Sequence, residues 1–270
     1  MNRVGKYSIL FCALFFIHIK AIYAEDVVID DFSSYKSDQF PKNEEKNELW
    51  GIWSKNFFST DQYKVRAENS NKYLESYVNE SLSKKTDEDE DEELDVKVVR
   101  LIKKNKYEAK DFPYLRWKWR VHVFPTGSQE DVQYLNDSAA SVYVYFLRHI
   151  GSPKIINYIW SRTLTPGKVF KNPSWNDDFP TYFKIVRSGP GPKDQKGGLW
   201  VEEEVNIYQD FIDIYVKENP DLYYRMTESG QKVLDLPPIL GIGILTDANN
   251  TRSEAKGDYD DFVRSSKPRH

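Results

Sequence analysis

Cysteine is almost absent from this sequence. Of 270 residues only Cys12 is a cysteine, and it lies in an apolar segment near the N-terminus. Without a second cysteine the chain forms no internal disulfide. Removal of the N-terminal segment would also exclude thiol catalysis and thiolate metal sites. Stability would then have to come from a large core or from a bound cation.

The chain also lacks a basic excess and a second long hydrophobic run. Its 38 Lys and Arg residues are outnumbered by 42 Asp and Glu residues, which gives a net charge of −4. No surplus of positive charge is available to neutralise phosphates, so we expect no nucleic-acid partner. Beyond the N-terminal segment no stretch is apolar enough to cross a bilayer, and the sequence therefore predicts no transmembrane segment in the processed chain.

The N-terminus has the pattern of a signal peptide. Arg3 and Lys6 precede an apolar run at 8–19, and a small residue, Ala24, stands at the end of the segment. This pattern predicts cleavage after Ala24 and export to the periplasm or the extracellular space. The alternative is an uncleaved membrane anchor, for which the apolar run is short.

Aromatic residues are abundant, at 15% of the chain. Residues 114–124 alternate between apolar and charged side chains, which is typical of a β-strand with one buried face. The apolar face carries Leu115, Trp117, Trp119, Val121 and Val123, and the opposite face carries Tyr114, Arg116, Lys118, Arg120 and His122. Two indoles on one face require a second layer of structure to cover them, so we assign the tryptophans to the core.

Similar patterns recur about ten times, with a single helical stretch at 209–218. The sequence therefore predicts an all-β fold, a two-sheet β-sandwich of jelly-roll type with one short helix. We expect one sandwich domain over 25–264 after a signal peptide at 1–24. A solvated acidic loop at 84–95 and a basic tail at 265–270 complete the expected organisation.

Several short motifs, in a fixed order, resemble one bacterial family. They include Leu-Arg-Trp-Lys-Trp-Arg-Val at 115–121, Asn-Tyr-Ile-Trp-Ser at 157–161, Trp-Val-Glu-Glu-Glu at 200–204 and Thr-Asp-Ala-Asn-Asn-Thr at 246–251. Over about 112–262 the chain is similar to the family catalogued as domain of unknown function 3047. The resemblance implies a secreted or periplasmic protein and no assigned activity. The acidic run at 86–93 departs from the family, as does Ala248, which stands where the family turn usually has a second Asp.

The chain ends also resemble those of jelly-roll carbohydrate-binding modules. That resemblance implies that the first and last strands lie side by side, with acidic residues near them often holding a structural calcium. Calcium takes six to eight hard oxygen ligands. The candidate calcium ligands here are Asp30, Asp31, Asp258, Asp260 and Asp261.

The cationic face of residues 114–124 has two interpretations. In the first, Arg116, Lys118 and Arg120 pair across strands with Glu202 and Glu204, which stabilises the sheet modestly. In the second, these cations line a groove, together with Tyr143, Tyr145 and Trp200, that binds a sugar or an acidic polymer. We favour the structural pairing and keep the three cations as candidate ligand contacts.

The polar turn at 246–251 follows an apolar strand at 239–245. Loops at the end of a rigid sheet often carry function, and side chains of this kind either bind sugar hydroxyls or shape the turn itself. The candidate ligand contacts of this region are Asp247, Asn249 and Asn250, with Asp137, Asn157 and Arg162 as expected neighbours.

Three functions follow from these patterns. The leading hypothesis is a non-catalytic protein that binds a glycan or another envelope component. The second is a carbohydrate-active hydrolase or lyase that uses Glu202 and Glu204, because such chemistry needs paired carboxylates. The third is a structural envelope protein. We expect no cofactor besides the candidate calcium.

Overall fold

The computed structural model describes residues 26–43, 48–52, 62–79, 100–147, 153–174, 181–194 and 197–269. Two large sheets dominate it. The strands of the first sheet are β1 (Asp26–Asp30), β5 (Tyr63–Glu68), β6 (Asn71–Asn79), β8 (Tyr114–Val123), β15 (Val201–Asn206) and β19 (Glu254–Ser265). Their order is β15-β8-β19-β6-β5, and β1 pairs with β19.

The second sheet has seven strands. They are β4 (Gly51–Ile52), β7 (Leu101–Tyr107), β9 (Ala140–Phe146), β10 (Lys154–Ser161), β11 (Val169–Lys171), β12 (Thr181–Ser188) and β18 (Ile239–Leu245). Their order is β11-β12-β10-β9-β18-β7-β4, and β10 and β12 run parallel to each other. Three two-stranded ribbons pair β2 (Lys42–Asn43) with β3 (Glu48–Leu49), β13 (Lys193–Asp194) with β14 (Gly197–Gly198), and β16 (Tyr224–Met226) with β17 (Lys232–Leu234).

Strand β8 lies inside the first sheet, between β15 and β19, as its alternation suggests. Trp117 and Trp119 are fully buried, which confirms their assignment to the core. Their rings meet edge to face, with centroids 5.1 Å apart. Trp119 also contacts Trp160 of β10 at 5.5 Å, and Trp117 contacts Tyr158 at 6.0 Å. These contacts join the inner faces of the two sheets, and burial of such large rings is a main source of stability.

The first and last strands are neighbours, as the resemblance to jelly-roll modules implies. Strand β1 pairs antiparallel with β19, and Asp26 lies opposite Ser265. Strand β19 is 12 residues long and pairs with β1, β6 and β8 along its length. The prediction of an all-β, two-sheet sandwich of jelly-roll type with one short helix is confirmed.

The helical stretch begins before the predicted residue 209. Helix α1 (Ile207–Phe211) continues into a π-helical turn (Ile212–Val216). It starts earlier because the Asn206 side chain accepts a hydrogen bond of 2.9 Å from the backbone N–H of Gln209, which caps the first turn. Phe211 then packs on Phe146, with ring centroids 4.4 Å apart, and this contact attaches the helix to the second sheet.

Several predictions concern parts of the chain outside the described residues. The signal peptide at 1–24 and the acidic loop at 84–95 both lie there and stay predictions. The basic tail is described as far as Arg269, which forms an ion pair with Glu202, so these tail residues lie against the first sheet. Within the described part of the chain, no helix combines the length and the apolarity needed to span a membrane.

Candidate functional site

The charged outer face of the first sheet is extensively ion-paired. The Nε atom of Arg116 donates to Glu204 at 2.6 Å, and its Nη1 atom donates to Asp26 at 3.0 Å. Lys118 lies opposite Glu202 in register but pairs with Asp261, at 2.6 Å. Glu202 pairs with Arg269 instead. Opposite charges on neighbouring strands therefore neutralise one another here, and both proposed catalytic glutamates have cationic partners.

Arg120 is a second buried cation of this face. Its Nε atom donates to Asp258 at 2.6 Å, and Nη1 donates to Glu68 at 2.9 Å. The guanidinium lies 4.8 Å from the ring centre of Tyr73 and 4.5 Å from that of Trp200, so it also makes cation–π contacts. With two carboxylates and two rings around it, Arg120 has the surroundings of a structural residue.

Tyr143 and Tyr145 do not belong to this face. They lie on β9 of the second sheet, with side chains on the outer face of that sheet, so the groove that would combine them with Arg116 and Trp200 does not form. The prediction of that combined groove was wrong. Strand alternation assigned each side chain to a face of its own strand but did not show which sheet the strand joins.

The candidate calcium ligands have protein partners. Asp30 accepts hydrogen bonds from Tyr35, Trp50 and the backbone of Phe32, and it pairs with Lys103 at 2.9 Å. The remaining four carboxylates contact the protein donors Ser33, Arg120, Asn71 and Lys118. Across the ranges that the structure describes, no group of three or more His, Cys, Asp or Glu residues is placed to hold a metal ion. The calcium site stays a prediction.

The polar turn at 246–251 lies at the end of β18, on the edge of the second sheet. Asp137, which is fully buried, accepts hydrogen bonds from the backbone N–H groups of Asn250 at 3.2 Å and Thr251 at 2.6 Å. Asp247 accepts one from the backbone of Asn249 at 3.1 Å. The sequence-predicted proximity of Asp137 to this turn is therefore present in the structure. Arg162 is exposed and follows β10, whose last residues lie beside the start of β9 at the same end of the sheet as the turn.

Asp247 has a strongly shifted carboxyl pKa. Removal of its carboxylate from water raises its pKa well above the usual Asp range, and the negative charge of Asp137 raises it further. Asp137 itself receives two backbone donors, so the two neighbouring acids have different environments.

Next to this turn, the outer face of the second sheet carries further polar and aromatic side chains. In register across the strands, Asn157 of β10 lies opposite Tyr143 of β9, and Tyr143 lies opposite Gly243 of β18. Gly243 is required there, because a Cβ atom would lie 2.8 Å from Cε2 of Tyr145 and 2.7 Å from the carbonyl oxygen of Leu101. The glycine thus leaves room for the ring of Tyr145.

Two polar atoms on this face are buried without a hydrogen-bond partner among the described residues. One is Oδ1 of Asn157, a residue that is 1% exposed. The other is Nε of Arg100, which immediately precedes β7 and whose guanidinium lies 4.3 Å from the ring centre of Tyr143. An unsatisfied buried donor or acceptor costs about 1–3 kcal/mol, so both atoms need an explanation.

We call the set Arg100, Asp137, Tyr143, Asn157 and Asp247 the turn-side cluster. It holds a cation, two acids, an amide and an aromatic ring within one sheet face. Sequence reasoning found Asp137, Asn157 and Asp247 but grouped Tyr143 with the wrong face and missed Arg100. Arg100 stands at the start of an ordinary strand pattern, and no local motif distinguishes it.

Three solved structures that are similar to this chain are described as a cellulase, a xyloglucanase domain and a xylanase. A thermostable cellulase derived from Cel12A of Rhodothermus marinus is 12% identical, with a TM-score of 0.39 over 81% of this chain and 98% of that chain. The xyloglucanase domain of the effector NopAA from Sinorhizobium fredii is 10% identical, with a TM-score of 0.37 over 80% of this chain and 97% of that one. A family 11 xylanase from Neocallimastix patriciarum is 12% identical, with a TM-score of 0.31 over 90% of this chain and 100% of that one. At these values the similarity assigns no residue role to this chain.

No curated protein sequence matches this chain. A family model does, and its match extends well N-terminal of the region from 112 onward where the sequence motifs first showed the resemblance. Residues 52–263 match the family described as protein of unknown function DUF3047, and the chain belongs to that family.

Proposed function

We propose that this protein is a non-catalytic glycan-binding protein of the cell envelope and that its ligand binds at the turn-side cluster. The observation that carries the proposal is the buried Oδ1 atom of Asn157, which has no partner among the described residues. A ligand hydroxyl would satisfy this acceptor. Binding sites typically combine apolar and aromatic walls with a few placed polar groups, as here.

The exposure of the residues around the cluster supports this location. Asn250 is exposed, whereas Asp247, Asn249 and Arg100 are partly exposed. Tyr143 and Asn157 lie deeper and are buried. A sugar presents hydroxyls to polar groups and C–H bonds to aromatic rings, and the cluster offers both kinds of partner. The outer face of the first sheet is a weaker candidate, because its arginines already have carboxylate partners.

Isothermal titration calorimetry with glycans selected from an array tests the proposal. Asn157→Leu removes the unpartnered acceptor with little change in size, so we expect binding to weaken at least about tenfold while stability is unchanged or higher. Asn219→Leu, at an exposed position, is the matched control and should bind as wild type does. An array without any signal would refute glycan binding and favour a structural envelope protein.

A second candidate function is glycan cleavage. The specific observation is the pair Asp137 and Asp247, in which burial and the neighbouring charge raise the pKa of Asp247. A carboxyl of raised pKa beside a second carboxyl is an arrangement that acid–base hydrolysis uses. Release of reducing ends that disappears in Asp247→Asn would establish cleavage. Loss in Glu202→Gln or Glu204→Gln, with Asp247→Asn still active, would place the chemistry on the first sheet.

A further inference from the structure

Arg100 differs from Arg116 and Arg120, and it shares with Arg264 a buried Nε atom that has no hydrogen-bond partner among the described residues. Arg116 and Arg120 each bond two carboxylates. Arg100 forms no ion pair with any residue that the structure describes, and its contacts there are with the Tyr143 and Tyr145 side chains. The Arg100 side chain is partly exposed, and no described carboxylate forms an ion pair with it, so an anionic ligand would complete this position.

Tyr143 holds the guanidinium in place. The Nη2 atom of Arg100 is 3.5 Å from the hydroxyl oxygen of Tyr143, while the guanidinium carbon lies 4.3 Å from the ring centre. The ring of Tyr145 supports Tyr143 from the same strand, with centroids 6.1 Å apart and planes inclined by 18°. Stacking fixes the plane of the guanidinium. Its Nε edge, which has no hydrogen-bond partner among the described residues, is left for a planar acceptor.

The acids of the cluster form no ion pair with Arg100, although the positive charge of Arg100 lowers the pKa of Asp247 and opposes the larger effects of burial and Asp137. Asp137 is engaged by the backbone N–H groups of Asn250 and Thr251. Burial and the charge of Asp137 raise the pKa of Asp247, so this carboxyl binds a proton more readily than an ordinary Asp does. The positive charge of Arg100 is therefore available to a ligand.

We propose that the glycan is acidic, with a sugar carboxylate that pairs with Arg100 and a hydroxyl that donates to Oδ1 of Asn157. The inference rests on the proposed function and names its substrate class, a uronate-containing saccharide. The geometry allows one ligand to reach both Arg100 and Asn157. The Arg100 guanidinium lies on Tyr143, and Tyr143 and Asn157 are on adjacent strands whose backbones are about 4.8 Å apart. A carboxylate is favoured over a sulfate because its planar oxygens match the guanidinium edge.

The test compares tetragalacturonate with its fully methyl-esterified form, by calorimetry on the processed full chain. We expect the acid to bind at least about tenfold more tightly than the ester. Arg100→Gln should abolish this preference, and Arg100→Lys should keep part of it because the charge remains. Arg225→Gln, at an exposed arginine outside the cluster, is the control and should keep the preference. A thermal melt of each variant establishes that it is folded.

The outcomes separate the two proposals. Equal binding of acid and ester, an undiminished preference in Arg100→Gln, or tighter binding of a sulfated tetrasaccharide would overturn the carboxylate inference. If the ester binds and Asn157→Leu abolishes that binding, glycan binding stands while the acidic class is wrong. If neither probe nor any glycan on the array binds, the proposed function itself fails.

Discussion

The ion pair between Arg120 and Asp258 offers a sharp test of how the central strands are held together. Asp258 is 1% exposed and Arg120 is 7% exposed. The Oδ2 atom of Asp258 contacts Nε of Arg120 at 2.6 Å and Nε2 of His122 at 2.7 Å. Asp258→Asn keeps the shape but removes the charge that these groups face. Breaking a buried pair in this way costs about 3–5 kcal/mol.

The same strand supplies a matched control. Asp261 pairs with Lys118 at 2.6 Å, but about 40% of each side chain is exposed. Exposed pairs contribute about 0–1 kcal/mol, so Asp261→Asn should cost little. Asp261 has a φ of 49°, a conformation that Asn tolerates as well as Asp does, and the backbone therefore adds no further cost.

Urea unfolding followed by tryptophan fluorescence measures both variants. We expect Asp258→Asn to lower the free energy of unfolding by about 3 kcal/mol, with the slope against urea unchanged. High salt should reduce the stability loss in Asp261→Asn proportionally more than the loss in Asp258→Asn, because exposed charges are screened more strongly than buried ones. Equal losses in the two variants, or a loss below about 1 kcal/mol for Asp258→Asn, would refute the reasoning.

Four further predictions follow. Trp119→Ala should cost about 3–5 kcal/mol in urea unfolding, and Trp200→Ala, at a partly exposed ring, clearly less. Because the pKa of Asp247 is raised in the folded state, the wild-type protein loses stability as the pH rises through that pKa. The variant Asp247→Asn lacks this loss, so its melting temperature relative to wild type should increase from about pH 5 to about pH 9. A difference that stays constant with pH would contradict the raised pKa. If the five candidate Asp ligands hold a structural calcium, EGTA should lower the melting temperature and added calcium should restore it; an unchanged melting temperature would refute the metal site. Intact-mass analysis of the exported protein should give a chain that starts at residue 25, and retention of residues 1–24 would exclude cleavage after Ala24.

The strands were largely predictable because their signal is local. A strand with one buried face alternates along its own sequence, and residues 114–124 show this without reference to any partner. The same pattern placed Trp117 and Trp119 in the core, where the structure has them. Helix α1 was predicted to start too late, because the pattern of apolar residues does not reveal that Asn206 caps the first turn.

The candidate site was only partly predictable. The turn at 246–251 could be recognised by its polar side chains after an apolar strand, and Asp137 does contact it. Arg100 could not be identified from the sequence. What marks it is that it has no ionic partner among the described residues, and the partners of a side chain depend on which strands are neighbours in the folded protein. Tyr143 was grouped with the wrong cations for the same reason.

The sequence by itself determined the class of the fold, the core role of the two tryptophans and the family, since alternation, composition and ordered motifs are properties of the chain alone. Only the tertiary structure decided which charges cancel and which remain. Arg120 and Arg100 are both arginines in strand-like segments, yet one meets carboxylates of β5 and β19 and the other meets the rings of Tyr143 and Tyr145. Strand order set that difference, and strand order arises from long-range pairing that a local pattern does not encode.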